Sequence, residues 1–310
     1  MQTSRSQFLK MAGYLFFGHA LEHLEALVNR LPVRALGKTG ASLPVLGLGG
    51  WHLGMMNSEP DAISLVDIAV RSGIKFIDTA NCYQGGQSQK VIGKAIKKYK
   101  LRKDIFLMTK VHARTAKKAI QELNQSLKSL GTDNLDLWQF HDVRHYEDLT
   151  RIFAPGGALE AALQAKKQGK IRFIGLTGHY NVKVQQAALK YHEHFDTIQV
   201  PVNPVDAASS EGYANKVVPA ASHLGLGVIA MKTMVKGKLV SRKAATAEQC
   251  LRFALSQPVS MLVSGIDRQK YLQENLKSVQ NFKAMTIEEQ KNLVAKVRLK
   301  VLPSLEHYKK

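Results

Sequence analysis

Cysteine is nearly absent. Cys82 and Cys250 are the only two in 310 residues, so a disulfide framework is excluded. No ligating residues cluster around either one along the chain, so no metal site is expected and both read as ordinary free thiols. No apolar run approaches the ~18 residues a spanning helix needs, so stable membrane insertion is not expected. Acidic residues are the minority, 24 against 44 Lys and Arg, for a formal net charge of +20. Such an excess suits nucleic acid, an anionic surface or a small anionic ligand. The basic residues are spread along the chain, however. Their densest run, KAIKKYKLRKD (residues 94–104), reads as a helix surface and a loop. Zinc-finger spacing, an RNP-type motif and a basic-region helix are all missing. A solvated basic face is the better reading, and nucleic acid is not the expected partner.

What is present begins with an N-terminal stretch, residues 1–32, that stands apart from the rest. SRSQFLK (residues 4–10) is similar to a twin-arginine export motif whose second arginine is Ser6, and an apolar run follows it. No A-x-A cleavage site precedes EHLEALVNRLP, and Leu21, Leu24 and Val28 recur at helical spacing until Pro32. The segment reads as a degenerate signal or an appended helix. Retention in the cytoplasm is expected, with periplasmic export as the alternative. From Leu36 onward short apolar strands alternate with amphipathic helices. LGKTGASLP is a turn-rich stretch suited to a small hairpin. Strands are expected to begin at Val45, Lys75, Ile105, Leu135, Ile171, Thr197, Gly227 and Met261. Between them Ala62, Leu65, Val66 and Ala69 mark one helical face, ended by Gly73, and a second helix lies near residues 88–99. Ile120, Leu123, Leu127 and Leu130 mark another, capped by Gly131. TAEQ (residues 246–249) and TIEE (residues 286–289) fit the capping box that opens a helix. Eight strand-then-helix units in about 270 residues match a single parallel (β/α)8 barrel over residues 33–310. The doubly wound open sheet is the alternative, but GLGGWHLG lacks the G-x-G-x-x-G opening of that fold.

In such a barrel, active residues sit at the C-terminal strand ends and in the loops that follow. Asp78 lies near the end of the second strand, in FIDTANCY, and Tyr83 in its loop. Lys110 ends the third, IFLMTK, and His141 the fourth, LDLWQFH. Three consecutive strands thus deliver Asp, Lys and His to one rim with a Tyr beside them. An ammonium beside a phenol stabilises the phenolate and lowers its pKa. The aspartate can pair with the lysine and hold it. The tyrosine then exchanges a proton near neutral pH, and the histidine can hydrogen-bond a substrate oxygen. This set suits proton transfer to a carbonyl oxygen. It holds no hydride source, so a cofactor must supply one.

The chain resembles the aldo/keto reductases over residues 33–282. The resemblance rests on LGKTGASLPVLGLGGW, GIKFIDTANCY, LMTK, LNQSLKSLGTDNLDLWQFH, IRFIGLTG, IQVPVN, GVIAMK and GIDRQKYLQEN, in order and with fitting spacing. It implies a TIM barrel and a catalytic tetrad of Asp78, Tyr83, Lys110 and His141. It further implies a nicotinamide cofactor, NADP with NAD as the alternative, and reduction of small aldehydes or ketones. Cofactor contacts would come from Gly50, Thr177, Gly178, Gln199, Met231, Lys232, Gly265, Arg268, Glu274 and Asn275. Trp51 would be a pocket-wall aromatic or an ordinary core residue at the barrel mouth. Three positions depart from the family pattern. Thr177-Gly178-His179 replaces a Ser-Asn pair that commonly holds the carboxamide. Val202 stands where an aromatic ring is frequent, and Tyr271 where an arginine is familiar. A non-catalytic nucleotide-binding sensor or partner subunit on the same fold is the alternative function.

Overall fold

The computed structural model describes residues 31–300 and Glu306. The twin-arginine-like motif and the helical face at Leu21, Leu24 and Val28 lie outside the described residues. Eight parallel strands close into a barrel in the order β10-β3-β4-β5-β6-β7-β8-β9. They are β3 (Leu46–Gly49), β4 (Phe76–Asp78), β5 (Phe106–Val111), β6 (Leu135–Phe140), β7 (Ile171–Thr177), β8 (Thr197–Pro201), β9 (Gly227–Met231) and β10 (Met261–Gly265). Closure comes from Leu262 to Gly265 of β10, paired with Leu46 to Gly49 of β3. Every strand begins within a residue of its expected position. The reason is local: strands covered on both faces must be apolar on both, so each reads as a continuous hydrophobic run.

A hairpin of β1 (Val33–Ala35) and β2 (Ser42–Pro44) crosses the end of the barrel at which the strands begin. Its tip is fastened by Lys38 N donating to Gly225 O (2.9 Å) and Gly37 N to Ser260 Oγ (3.3 Å). Gly37 has φ +55° and lies against the backbone of residues 225–227, so a side chain there meets both strain and a wall. Leu36 and Leu43 of this hairpin join Phe76, Phe106, Met108, Leu137, Ile229, Met261 and Val263 as the packed barrel interior. The larger core lies between the strands and the surrounding helices, among them Glu59–Arg71, Gln87–Tyr99 and Ala116–Leu130. Gly131 caps the last of these in the left-handed conformation (φ +64°). Thr246 opens the helix Ala247–Leu255 with a complete capping box, and Thr286 exchanges the same pair of hydrogen bonds with Glu289 at the start of Ile287–Lys300.

The core reaches slightly further toward the N-terminus than the expected boundary at residue 32. Leu31 is buried in the main core, and the Pro32 carbonyl accepts from Val45 N (2.9 Å). Cys250 is fully buried among the late helices, where burial pushes its thiol up to about 12. Among the described residues no helix is long and apolar enough to cross a membrane.

Candidate active site

The parallel register aligns the C-terminal ends of neighbouring strands, and this brings distant residues together. Asp78 ends β4, Lys110 is the penultimate residue of β5, and His141 follows β6, its backbone N still donating to Val111 O (2.7 Å). Lys110 is fully buried. Its ammonium is ion-paired with Asp78 Oδ1 and donates to Thr79 O (2.9 Å) and to the Tyr83 hydroxyl (3.0 Å). Asp78 Oδ2 accepts from Gln199 Nε2 (2.8 Å), which extends the chain of contacts across the barrel to β8. Tyr83 sits in a single helical turn, Tyr83–Gly86, after β4. Gln84 (φ 48°) and Gly85 (φ 59°) turn left-handed there, which bends the loop back over the strand end. Trp51 packs edge-on to the Tyr83 ring at 4.9 Å, and His141 lies edge-on at 5.9 Å. Trp51 is 45% exposed, so it is not part of the core.

The electrostatics correct one expectation. Lys110 does touch the phenol, but burial dominates and pushes Tyr83 well above its ordinary value, with the Asp78 charge acting in the same direction. Burial also lowers Lys110, against the opposing pull of Asp78. The ion pair therefore spends most of the ammonium's influence on the carboxylate. Tyr83 is consequently protonated at neutral pH: a phenol poised to donate, not a standing phenolate. His141 is driven well below 6.5, first by burial and then by the Lys110 charge, so its imidazole is neutral. A neutral imidazole can donate or accept at a substrate oxygen, depending on its tautomer.

The expected cofactor contacts fall into groups along the same rim. Thr177 pairs with Gln199 across β7 and β8, and Gly178 N donates to Gln199 O (3.3 Å). Gly50 N donates to Asp78 O (2.7 Å), and Gly50 O accepts from Ser88 Oγ (2.8 Å). Gly265 pairs with Gly49, and a side chain on it would strike the His52 ring. Met231 ends β9, and Lys232 follows it with φ +54°. Burial and the neighbouring Lys236 push the Lys232 ammonium down to about 8. Arg268 caps the helix Gln269–Gln280 and lies over the Tyr271 ring at 5.9 Å. Within that helix Asn275 Nδ2 donates to Ser264 Oγ (3.0 Å), and Glu274 faces Lys270 at 3.9 Å. Val202 is buried behind the rim, its N–H donating to Met231 O (3.1 Å).

These residues fit a nicotinamide dinucleotide on chemical grounds. Gln199 Oε1 is buried with no hydrogen-bond partner among the described residues, an acceptor that a carboxamide N–H would satisfy. His52 Nδ1 is likewise buried and unpartnered beside Gly265. In the loop after β9 the backbone turns left-handed at Lys232, Val235, Lys236 and Gly237. Left-handed turns of this kind fold backbone N–H groups into concavities that suit anions.

Sequence reasoning missed Asp142. It is buried, has φ +51°, and holds Arg144 Nε (2.6 Å) and His179 Nε2 (3.2 Å). The histidine that departs from the Ser-Asn pattern thus has a carboxylate partner from the next loop. The positive φ that turns this carboxylate inward leaves no mark in composition or periodicity. Sequence reasoning also missed that Cys82 Sγ reaches His141 Nδ1 (3.5 Å).

Known proteins bear on this geometry. The family model described as the aldo/keto reductase family matches residues 45–249. L-galactose dehydrogenase of Arabidopsis thaliana is 32% identical over 49% of this chain and 50% of its own length. Aldo-keto reductase YhdN of Bacillus subtilis is 30% identical over 67% of this chain and 63% of its own. The matches thus span only half to about two thirds of these relatives. Among solved structures, the thermostable aldo-keto reductase Tm1743 aligns with TM-score 0.69 at 26% identity, over 86% of this chain and all of its own. The aldo-keto reductase of Bacillus halodurans has TM-score 0.71 at 22% identity over 90% of this chain and 100% of its own, a likeness of fold. With the family model covering most of the barrel, the chain belongs to the aldo/keto reductase family.

Proposed function

We propose that the protein reduces small aldehydes or ketones to alcohols, with Tyr83 as proton donor and NADPH as the preferred cofactor. The observation that carries this reading is the Lys110 ammonium shared between the Asp78 carboxylate and, at 3.0 Å, the Tyr83 hydroxyl. A bound nicotinamide supplies the hydride. The chain does the rest. Tyr83 gives its proton to the carbonyl oxygen as negative charge develops there. Lys110, 4.7 Å from the ring centre, stabilises the phenolate left behind, and Asp78 holds Lys110 in place. His141, neutral and edge-on to the phenol, orients the same oxygen by a hydrogen bond. Trp51, packed edge-on against the Tyr83 ring, bounds the mouth.

Similar proteins bear on this reading. One relative, 34% identical over 44% of this chain and 46% of its own length, is named methylglyoxal reductase YeaE of Escherichia coli. Another, of the same organism, is named an NADH-specific methylglyoxal reductase, so the family name alone does not choose NADPH over NADH. Here Arg268 and Lys232 supply cationic groups that suit the extra phosphate of NADPH.

The test is Tyr83→Phe. Proton transfer by a positioned side chain contributes ~10²–10⁴-fold in rate, so the variant should lose reduction of a reactive aldehyde by about that factor. NADPH binding, followed by fluorescence, should persist. Undiminished turnover in the variant would make the phenol architectural, and a sensor without turnover would then be the better account.

A further inference from the structure

Cys82 and His141 are not alone at the mouth of the barrel. His112, two residues beyond Lys110, brings its ring to 4.5 Å from that of His141. The ligand atoms of Cys82, His112 and His141 all lie within 4.8 Å of one another. Residues 82, 112 and 141 are far apart in the chain, so no motif announces the group. It forms because the three adjacent strands β4, β5 and β6 that deliver the catalytic residues end at one level.

We propose that Cys82, His112 and His141 form a binding site for a single thiophilic divalent cation, of which Zn²⁺ is the type. The donor set is what such an ion selects: one thiolate and two imidazoles, with a fourth position open to water. Zn–S and Zn–N bonds of about 2.3 and 2.0 Å place tetrahedral ligand atoms about 3.5 Å apart. The Cys82 Sγ to His141 Nδ1 separation is already 3.5 Å. The remaining closure falls to His112, an exposed residue whose ring already lies 4.5 Å from that of the buried His141.

The surroundings hold the donors in register. Glu122 Oε2 accepts from Asn81 Nδ2 (2.7 Å) and from His112 N (2.8 Å), so one carboxylate ties the residue before Cys82 to the strand end that carries His112. Two nearby cations are matched to carboxylates, Lys110 to Asp78 and Arg114 to Asp148 at 2.9 Å, which limits their repulsion of a metal ion. On binding, the S–H bond of Cys82 breaks, its proton goes to solvent and an S–metal bond forms, with no change of oxidation state. Ligation through Nδ1 leaves the His141 proton on Nε2.

The experiment titrates metal-free, full-length protein with Co²⁺, which reports thiolate ligation by a charge-transfer absorption, and then with Zn²⁺. One equivalent of Co²⁺ should produce the absorption, and Zn²⁺ should displace it. Cys82→Ser should abolish it, and His112→Ala should weaken Co²⁺ binding by at least ~10-fold, since even an outer partner of a ligand costs that much. His112→Ala alters an exposed side chain, so it decides the matter even if the cysteine variant folds poorly. Absence of thiolate absorption in the parent, or unchanged Co²⁺ binding in either variant, overturns the site. None of these readouts depends on reductase turnover, so the two ideas fail separately.

Discussion

At Tyr83 two influences oppose each other. The Lys110 ammonium at 3.0 Å favours the phenolate, while burial and the Asp78 carboxylate favour the phenol, and the latter pair prevails. Reduction needs the protonated phenol, which exists below its pKa; the reverse oxidation needs the phenolate, which exists above it. With the pKa raised, reduction should stay flat through neutral and mildly alkaline pH, while oxidation of the alcohol should climb into the alkaline range. His141 is held neutral well above its lowered pKa, so no step from an imidazole should appear near pH 6.5. Lys110→Met removes the ammonium in contact with the phenol and should move the rise of oxidation to still higher pH. Initial rates in both directions across pH check this. A loss of reduction centred near neutrality would mean that the phenol is acidified, as residue types alone suggest. The composition of the candidate tetrad was legible in the sequence because Asp78, Lys110 and His141 lie at or beside the ends of apolar strands, and Tyr83 in the loop after one. The balance of charges was not, because burial is a property of the closed barrel and not of any one residue.

Individual elements were legible for simple reasons. Each barrel strand is a short, largely apolar run, and the principal helices carry their caps in the chain. Thr246 is the clearest case: its hydroxyl accepts from Gln249 N (3.1 Å), and the Gln249 amide oxygen accepts from Thr246 N (3.0 Å). Thr246→Ala should therefore cost ~1 kcal/mol of stability, read as a lower urea midpoint with unchanged slope. No shift would mean that the packing of Cys250, Leu251, Phe253 and Ala254 alone holds that helix. Loops were another matter. Asp142 with its left-handed φ, and the left-handed run from Lys232 to Gly237, are set by what the barrel leaves room for. Nothing in helical or strand periodicity encodes them, and the same holds for the encounter of Cys82 with His112 and His141.

The whole molecule carries a formal net charge of +20 on a fold that belongs to a family of small-molecule oxidoreductases. The sequence showed this excess without showing where it converges. At the rim, β9 and β10 are paired neighbours, so the loops after them lie side by side. Lys232, Lys236 and Arg268 belong to these loops and the start of the helix that follows, so part of the positive charge converges at this rim. A field of this kind attracts any dinucleotide, and it attracts one carrying an additional phosphate more strongly. NADPH should therefore bind more tightly than NADH by a modest margin at low ionic strength. The margin should narrow as salt is added, because screening sets in over about 8 Å at physiological ionic strength. Lys232, pushed down to about 8, is charged below that pH and loses its charge above it. Affinity for both cofactors should accordingly fall as pH rises through the alkaline range, except where the bound anion itself holds the proton on. Fluorescence titration of both cofactors at low and high salt measures the margin, with Arg268→Ala as the decisive variant. Equal affinities at low salt, or a margin that survives both high salt and Arg268→Ala, would show that neither the field nor this arginine selects the cofactor.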